Sequence, residues 1–316
     1  LTRSDGALVG VVLGTDFLIR HRRVPWGPAL LFALLITPWY LFSWIYFGSP
    51  LPATLTAKQH QAQMAISDGF ARGFGTLLTT YAQDPFFWLH GVAALVGTGY
   101  AAVRNRQWLP LLGWGLIYFI SYTILGVSRY FWYYVPVVTV ILSAVGLGLT
   151  AVRRWMPSEV LQGWRGPVVL AIVLSLLLCP QVERLWRLHH HPDQRASIYR
   201  EVGTWLAEHT QPEATIGTLE VGIIGYYACR RMVGFAGLIQ PDVAQRLSRD
   251  TTYRHAAVWA IETYQPDYLV LNPRWFPGLL SGDITQTYEP LRSFAGTDHG
   301  YDGKIIVYMR SASGND

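Results

Sequence analysis

The sequence is poor in charge, in cysteine and in lysine, and these shortages narrow the classes of protein it can belong to. Only 14% of its 316 residues are charged and 51% are hydrophobic, whereas soluble domains carry about 25% charged residues. This composition excludes a disordered chain and a nucleic-acid-binding tail, and it disfavours an ordinary cytosolic enzyme. The two cysteines, Cys179 and Cys229, are too few for a disulfide framework and lack the spacing of a zinc site.

The shortage of charge is uneven along the chain. Residues 1–182 hold 12 Lys and Arg against 5 Asp and Glu, whereas residues 183–316 hold 13 against 15. The first part is therefore charge-poor and basic, and the second has an ordinary charge content. We place a domain boundary at this change, with a transmembrane bundle over 1–182 and a separate domain over 183–316. Basic residues beside apolar runs are typical of membrane orientation and do not indicate nucleic-acid binding.

Six apolar runs are candidates for membrane spans, since a helix needs about 20 such residues to cross a bilayer. They are Gly6–Ile19, Val24–Phe47, Pro85–Val103, Trp108–Gly126, Phe131–Val152 and Gly166–Val182. Arginines are concentrated in the turns after the first, third and fifth runs. The positive-inside rule puts these turns in the cytoplasm. It therefore places the loop 48–84 and all residues after Val182 outside the cytoplasm.

The outer loop 48–84 contains a stretch, 54–64, with the composition of a helix that lies on the outer surface of the membrane. This stretch carries Lys58, one of only two lysines in the chain, with His60 beside it. A lysine at the headgroup level is suited to hold the phosphate of a lipid-linked substrate. The alternative is an interfacial lysine whose aliphatic stem lies along apolar surface. The residues alone leave both interpretations open.

A cluster of aromatic residues, including Tyr130 and Tyr133, begins the fifth run. Aromatic side chains prefer the headgroup level of a membrane, so a structural belt explains the cluster. Stacking on a sugar or a lipid is the alternative. The short run of histidines at 189–191 is interpreted as a solvated linker and not as a metal site.

The part after Val182 has the pattern of a compact α/β domain. The predicted strands are 214–219, 232–235, 267–271, 288–294 and 304–308. The predicted helices are 197–209, 222–229, 243–247 and 253–264. Strands that alternate with helices predict a small, mostly parallel sheet. No glycine-rich phosphate loop follows a strand, so a nucleotide site has no support. Glu220 ends a strand and either faces a cavity or lies on the surface.

Several stretches resemble bacterial polytopic glycosyltransferases of the GT-C superfamily. The run from Tyr46 to Lys58 resembles their "YYG-PLPNT-AK" loop, and Leu1–Gly6 resembles their "TRPDG" stretch. Arg129 and Tyr130, followed by Pro136, are similar to their "RY…P" span start. The soluble part shares a module with them, through Tyr199, Gly203–Leu206, Gly222, Gly225–Tyr227 and Gly237-Leu238. The superfamily includes lipid-A aminoarabinose transferase, protein mannosyltransferases and mycobacterial arabinofuranosyltransferases. The resemblance covers nearly the whole chain.

The resemblance implies an α-helical polytopic bundle in the cytoplasmic membrane, followed by a small extracytoplasmic α/β domain. It implies an inverting transferase that moves a sugar from a polyprenyl-phosphate donor to a glycan, lipid or protein acceptor on the outer face. The candidates for contact with the donor phosphate are Lys58, Arg129 and Arg3. The candidates for other substrate contacts are Asp5, His60, Tyr130, Tyr133 and Glu220.

The sequence departs from the family pattern in its first residues. The general base of these enzymes is usually an acidic residue in the first outer loop, after the first span. Asp5 lies too close to Leu1 to take that place, so we expect this chain to be the C-terminal part of a longer enzyme with its base upstream. Ala53 stands where the family loop has Asn. No cofactor is evident. Some relatives need a divalent metal, but the sequence shows no ligand set for one.

Two alternatives belong to other functional classes. A transporter or flippase of lipid-linked sugars needs ionisable residues along a path inside the membrane, and the predicted spans offer little besides Asp16 and His90. It would also be expected to have matched interrupted helices in its two halves, and none is found. A non-catalytic membrane scaffold with an extracytoplasmic binding domain is the second alternative.

Overall fold

A computed structural model describes residues 6–311, apart from 51, 158, 160–163, 192, 280–283 and 285–286. The chain forms two compact units. The first, called the helical unit, comprises Leu1–Leu51 and Gly69–Arg187, and the second, called the α/β unit, comprises Pro52–Asp68 and Leu188–Asp316. Residues 52–68, which the sequence analysis grouped with the membrane bundle, therefore fold with the C-terminal part.

Helices account for most of the regular structure. In chain order they are α1 (Ala7–His21), α2 (Trp26–Phe47), α3 (Ala53–Gln63), α4 (Phe70–Tyr81), α5 (Pro85–Arg104), α6 (Leu109–Leu125), α7 (Val135–Trp155), α8 (Arg165–His190), α9 (Arg195–His209), α10 (Val221–Ala228), α11 (Pro241–Ala244) and α12 (Tyr253–Tyr264). Short 3₁₀ turns occur at Arg106–Trp108, Phe131–Tyr133 and Gly296–His299. The strands are β1 (Thr215–Thr218), β2 (Arg231–Gly234), β3 (Tyr268–Leu271), β4 (Tyr288–Ala295) and β5 (Lys304–Arg310).

Five described helices are long and apolar enough to cross a membrane, namely α2, α5, α6, α7 and α8. The sequence predicted six. The helix at the first predicted span, α1, has 15 residues and reaches about 22 Å at 1.5 Å per residue, short of a hydrocarbon core about 30 Å thick. The predicted helical character is thus confirmed, at the level of five described helices that are long and apolar enough to cross a membrane.

The closest packing in the helical unit joins α5 to α7. A Cβ atom built on Gly97 would lie 1.8 Å from the carbonyl oxygen of Ala144. A Cβ atom built on Gly148 would lie 2.0 Å from the carbonyl oxygen of Ala93. The two backbones therefore touch directly, and the contact exists only because both positions lack a side chain. Small residues at helix contacts are typical of membrane bundles.

The α/β unit contains a five-stranded sheet in the order β2-β1-β3-β5-β4. Strands β2, β1 and β3 are parallel, whereas β5 runs antiparallel to both β3 and β4. All five strands lie where the sequence predicted them, within a few residues. The sheet is mixed and not mostly parallel, because only a 3₁₀ turn and a short loop join β4 to β5, and a parallel pair needs a longer crossover.

Helices cover both faces of this sheet. Alternate residues of β3 point to opposite sides, so Val270 packs against α9 and α10, while Leu269 and Leu271 pack with α12. The two hydrophobic clusters lie on opposite faces of the sheet. The unit therefore has three layers, with the sheet between two layers of helices. The loops at the carboxyl ends of β1, β2 and β3 lie along one edge of the sheet.

Helix α3 belongs to this core although it lies between α2 and α4 in sequence. Ala57, Gln61 and Met64 are each at most 1% exposed, and their spacing puts them on one helical face. Met64 joins the same cluster as Phe235, and the Gln61 amide donates a hydrogen bond of 2.9 Å to the Ala236 carbonyl. The helix predicted at 54–64 therefore exists, but its apolar face is covered by the α/β unit and not by a membrane surface.

Candidate functional site

The strands β1 and β3 lie side by side at the centre of the sheet, and the chain leaves them in opposite directions. From β1 it passes through α10 to β2, on one side of the pair, and after β3 it reaches β4 and β5 on the other side. In open α/β sheets, ligands bind in the crevice that such a reversal opens at the carboxyl ends of the strands. The topology therefore predicts that a ligand site would lie among the residues that follow β1 and β3.

Polar, aromatic and apolar side chains together line this crevice, and the apolar ones are Leu219, Ile224, Val270, Phe276 and Ile305. Thr218 ends β1, Glu220 follows it, and Asn272 comes directly after β3. Tyr199 of α9 and Trp275 close the crevice from the sides. The cavity that they enclose measures about 10 Å³, which is room for about one water molecule or one hydroxyl group. We call Tyr199, Thr218, Glu220, Asn272 and Trp275, together with this cavity, the switch-point crevice.

The carboxyl group of Glu220 is largely removed from solvent. Burial raises the pKa of Glu220, the positive charge of Arg195 lowers it, and the negative charge of Asp193 raises it further. Among the described residues, its carboxyl group has no hydrogen-bond or ion-pair partner. A raised carboxyl pKa in a crevice is a frequent property of functional sites, although structural burial produces it too.

The Tyr199 side chain is only 4% exposed. Its hydroxyl makes no hydrogen bond of ordinary geometry within the described part of the chain. Burial raises the pKa of this hydroxyl, and the charge of Glu220 and a weak contact with the neighbouring Tyr301 hydroxyl raise it further. A buried hydroxyl without a hydrogen bond is uncommon, because no hydrogen bond offsets the free-energy cost of removing it from water.

The Asn272 side chain, in contrast, is fully engaged. Its amide nitrogen donates to the Tyr301 hydroxyl at 2.6 Å, and its carbonyl oxygen accepts from the backbone N–H of Arg274 at 2.9 Å. Asn272 is 6% exposed. The crevice thus combines one fixed amide with the buried hydroxyl of Tyr199 and the partly buried carboxyl group of Glu220.

The N-terminus of α9 brings a charged pair close to Glu220. Arg195 and Asp193 form an ion pair of 2.6 Å, and this hydrogen-bonded contact lowers the pKa of Asp193 and raises that of Arg195. Trp275, with 39% of its surface exposed, is the large aromatic side chain of the crevice that faces solvent.

The structure assigns the predicted site residues to different units. Lys58 and His60 lie on α3 and Glu220 in the switch-point crevice, so the α/β unit holds all three. Arg129, Tyr130 and Tyr133 belong to the helical unit, in the segment between α6 and α7. Arg3 and Asp5 lie outside the described residues.

The residues on α3 are tied to the sheet edge that carries the crevice. Lys58 is half-buried, and a ring nitrogen of His60 lies 2.8 Å from the Ala244 carbonyl oxygen, which can only accept a hydrogen bond. Gln61 bonds to Ala236, two residues after β2. Because β1 and β2 are parallel, α3 and Glu220 share the carboxyl edge of the sheet.

The aromatic residues between α6 and α7 form a packed cluster. Tyr133 is 6% exposed, with its ring centroid 5.1 Å from that of Tyr122. Tyr130 stacks on Trp132 at 4.5 Å. A Cβ atom built on Gly73 of α4 would lie 2.3 Å from the Cβ of Arg129. Gly73 therefore lets α4 pack directly against the residue that the resemblance associates with the donor.

A second polar cluster joins α9 to the 3₁₀ turn Gly296–His299. The His299 ring lies 2.7 Å from the Ser197 hydroxyl through Nδ1 and 2.5 Å from a Glu201 carboxylate oxygen through Nε2. Ser197 and Glu201 are one helical turn apart on the exposed face of α9. We interpret these contacts as structural, because they hold the turn against the helix.

Glu220 was predicted as a site residue from the sequence, whereas the other crevice residues were not. Tyr199 was named only as part of the resemblance, and Asn272 lies directly after the predicted strand 267–271. A signal for Thr218 and Asn272 was available, since polar residues at the ends of predicted parallel strands meet at one edge. Their adjacency depends on the strand order, which the sequence does not show. The described residues contain no group of three or more His, Cys, Asp or Glu arranged to hold a metal.

Comparison with known proteins adds one match. A family model described as "Domain of unknown function (DUF8728)" matches residues 186–308. This stretch contains β1 to β4, most of β5 and most of the C-terminal segment of the α/β unit. None of the curated proteins and none of the solved structures that were compared with the chain matches it.

Proposed function

We propose that this chain is part of a membrane-bound glycosyltransferase. It acts on the outer face of the cytoplasmic membrane and transfers a sugar from a polyprenyl-phosphate donor to an extracytoplasmic acceptor, with the inverting chemistry of the GT-C superfamily. The observation that carries the proposal is the position of α3. The loop that resembles the family's "PLPNT-AK" motif is an integral part of the α/β unit, at the sheet edge that holds the switch-point crevice.

The proposed orientation agrees with the connectivity of the α/β unit. Its two segments, 52–68 and 188–311, must emerge on the same face of a membrane because they fold together. Among the described residues between them lie four long apolar helices, α5 to α8. An even number of crossings returns the chain to the face that it left. The arginine-rich turns after α1, α5 and α7 then lie in the cytoplasm, which puts the α/β unit outside.

The proposed chemistry is a displacement at the anomeric carbon of the donor. The acceptor oxygen forms the new bond, its proton passes to a base, and the lipid phosphate leaves with the electron pair of the broken bond. A cation beside that phosphate stabilises the charge that develops there. Lys58 is our first candidate because its flexible stem ends in a compact charge, and Arg129 of the helical unit is the second.

Transfer is tested with the full-length gene product in native membranes or nanodiscs. The substrates are polyprenyl-phosphate sugars, and the measurement is the release of polyprenyl phosphate together with the sugar product. We expect turnover with at least one donor, and none after the donor phosphate is replaced by a neutral ester. Absence of turnover with every donor tried, in a folded preparation, would contradict the proposal.

The role of Lys58 is tested in the same assay. A lost charge-assisted hydrogen bond is worth about 1.5–3 kcal/mol. Lys58→Ala should therefore lower kcat/KM for the donor by roughly 10-fold to 100-fold. Lys58→Arg keeps the positive charge and should retain part of the wild-type kcat/KM. The only other lysine, Lys304, is exposed at the start of β5, and Lys304→Ala is the matched control. Equal kcat/KM for Lys58→Ala and Lys304→Ala would remove Lys58 from the donor site.

A further inference from the structure

The switch-point crevice contains a buried hydroxyl group and a partly buried carboxyl group that the fold leaves without an ordinary hydrogen bond. The Tyr199 hydroxyl makes no hydrogen bond of ordinary geometry in the described part of the chain, and its polar neighbour, the Tyr301 hydroxyl, already accepts from Asn272. The Glu220 carboxyl group has no partner among the described residues. Packing alone does not account for them, since a phenylalanine would fill the Tyr199 position without the cost of an unpaired hydroxyl. Their shared crevice therefore has the form of a site that is completed by something bound.

The size of the cavity limits what can enter it. At about 10 Å³ it holds one hydroxyl group or one water molecule. A ligand can therefore insert only a single small polar group, and the rest of the ligand must remain at the mouth of the crevice. Trp275, 39% exposed, offers an aromatic face there, which suits an apolar ring surface.

The charges near the crevice select the chemistry of that group. Glu220 and Asp193 disfavour a phosphate or carboxylate by like-charge repulsion. The nearby cation, Arg195, attracts an anion but is already paired with Asp193 at 2.6 Å, so the three groups together do not favour an anionic ligand. An alcohol group both donates and accepts a hydrogen bond. Its oxygen can therefore accept a hydrogen bond from the tyrosine hydroxyl while its hydrogen is donated to the carboxyl group. A neutral polyol with one apolar ring face, as in a sugar, satisfies the crevice and its aromatic rim together.

We infer that the switch-point crevice is an acceptor subsite that binds a neutral saccharide through one inserted hydroxyl group. The Tyr199 hydroxyl donates to the sugar oxygen, Glu220 accepts from it, and Trp275 stacks on the ring. This inference deepens the proposed function by naming the acceptor class, and it rests on that function for the choice of a sugar over other alcohols. Binding itself requires no donor and no turnover.

Binding is measured with the full-length protein in nanodiscs, by saturation-transfer-difference NMR and calorimetric titration. The probes are the methyl glycosides of mannose, glucose, galactose and arabinose, with methyl glucuronide as the anionic comparison. We expect at least one neutral glycoside to bind with a millimolar Kd, and methyl glucuronide to bind at least 10-fold more weakly. Tyr199→Phe should weaken binding of the neutral glycoside about 10-fold, and Glu220→Gln should weaken it several-fold.

The control is Tyr288→Phe, which removes a buried hydroxyl of the same unit that is already bonded to the Pro266 carbonyl at 2.7 Å. It should leave glycoside affinity unchanged. A crevice that holds only a water molecule predicts no glycoside binding, or binding that is the same in Tyr199→Phe and in Tyr288→Phe. Either result overturns the inference.

The outcomes separate this inference from the proposed function. If glycosides bind and Tyr199→Phe weakens them, but no polyprenyl-phosphate sugar is turned over, the subsite stands and the transferase proposal fails. If turnover occurs while Tyr199→Phe changes neither the acceptor KM nor glycoside binding, the transferase stands and the subsite is wrong.

Discussion

The two units of this chain differ in how closely their helices approach one another. In the helical unit, α5 and α7 meet where side chains are absent, at Gly97 and Gly148. In the α/β unit, large side chains such as Phe235, Leu247 and Leu269 are at most 1% exposed. Water drives large apolar groups together, whereas lipid offers no such drive and leaves close backbone contact as the means of association. The helical unit buries large side chains as well, with Phe70 and Tyr118 each 1% exposed, so the contrast lies in the α5–α7 backbone contact. That contact is consistent with helices that associate in a membrane.

The outer surfaces differ in the same way. Helix α2 leaves Leu35 69% and Ile45 84% exposed, and most large exposed apolar side chains of the protein belong to the helical unit. In water, a continuous apolar surface of this kind causes association. On helices that are long and apolar enough to cross a bilayer, such a surface is compatible with contact with acyl chains.

The strongest test of this contrast replaces the small residues of the helical unit. Gly97→Val should abolish the α5–α7 contact, because its first carbon would overlap a backbone oxygen that cannot move aside. Overpacking costs about 1–3 kcal/mol in adaptable cores, and we expect a larger loss here. Gly99→Val is the matched control, since nothing lies within 4 Å of a Cβ atom built on Gly99. Monodisperse, fully helical protein for both variants in detergent would contradict this packing.

The second test asks whether the loop between α2 and α4 is part of the α/β core. Met64 is 1% exposed, and truncating a buried methionine costs about 2–5 kcal/mol. Met64→Ala should therefore lower the melting temperature and speed hydrogen exchange in β2 and α12. Ile66→Ala, at a side chain that is 63% exposed, should do neither. If Met64→Ala left hydrogen exchange in residues 188–311 unchanged, the loop would not be part of the α/β core.

A smaller effect distinguishes two buried tyrosines of the α/β unit. Tyr288 donates to the Pro266 carbonyl, so Tyr288→Phe should cost about 1 kcal/mol and lower the melting temperature. Tyr199→Phe removes a hydroxyl without a partner, so the melting temperature should stay constant or rise. A loss of stability in Tyr199→Phe equal to that in Tyr288→Phe would show that the Tyr199 hydroxyl is satisfied within the fold.

The smallest effect concerns pH. Burial raises the pKa of Glu220 above its ordinary value of 4.5, so the folded state binds this proton more tightly than the unfolded state does. Its contribution is therefore fully present below pH 4.5 and is lost as the pH rises to the raised pKa. Glu220→Gln should gain in melting temperature over the wild type as the pH rises, and the gain should then level off. Glu208→Gln, at an exposed position, is the control. An equal gain in melting temperature in both variants would show that the gain does not come from the burial of Glu220.

Local patterns in the sequence were sufficient to predict most elements of the α/β unit. The predicted helix 253–264 and the predicted strand 267–271 agree with α12 and β3 to within one residue, because both are apolar stretches bounded by clear turn signals. The direction of β5 was not predictable in the same way. It depends on which strand β5 pairs with, and pairing is a long-range property.

The same limit applies to α3 and to the candidate site. The spacing of Ala57, Gln61 and Met64 reveals a face that must be covered, but the partner of Gln61 lies 175 residues away. The switch-point crevice needs Glu220 and Asn272 on adjacent strands, and only the strand order brings them together. The sequence could therefore identify the individual polar residues but not the cavity between them.

The divided origin of the α/β unit has a consequence for its biogenesis. Residues 52–68 leave the ribosome before residues 188–311, with the segment Gly69–Arg187 between them. At about 5–20 residues per second, the helix that carries Met64 waits on the order of ten seconds before its partners exist. During that interval its apolar face has no native cover, so the loop is the segment of the nascent chain that most needs a chaperone or the membrane surface.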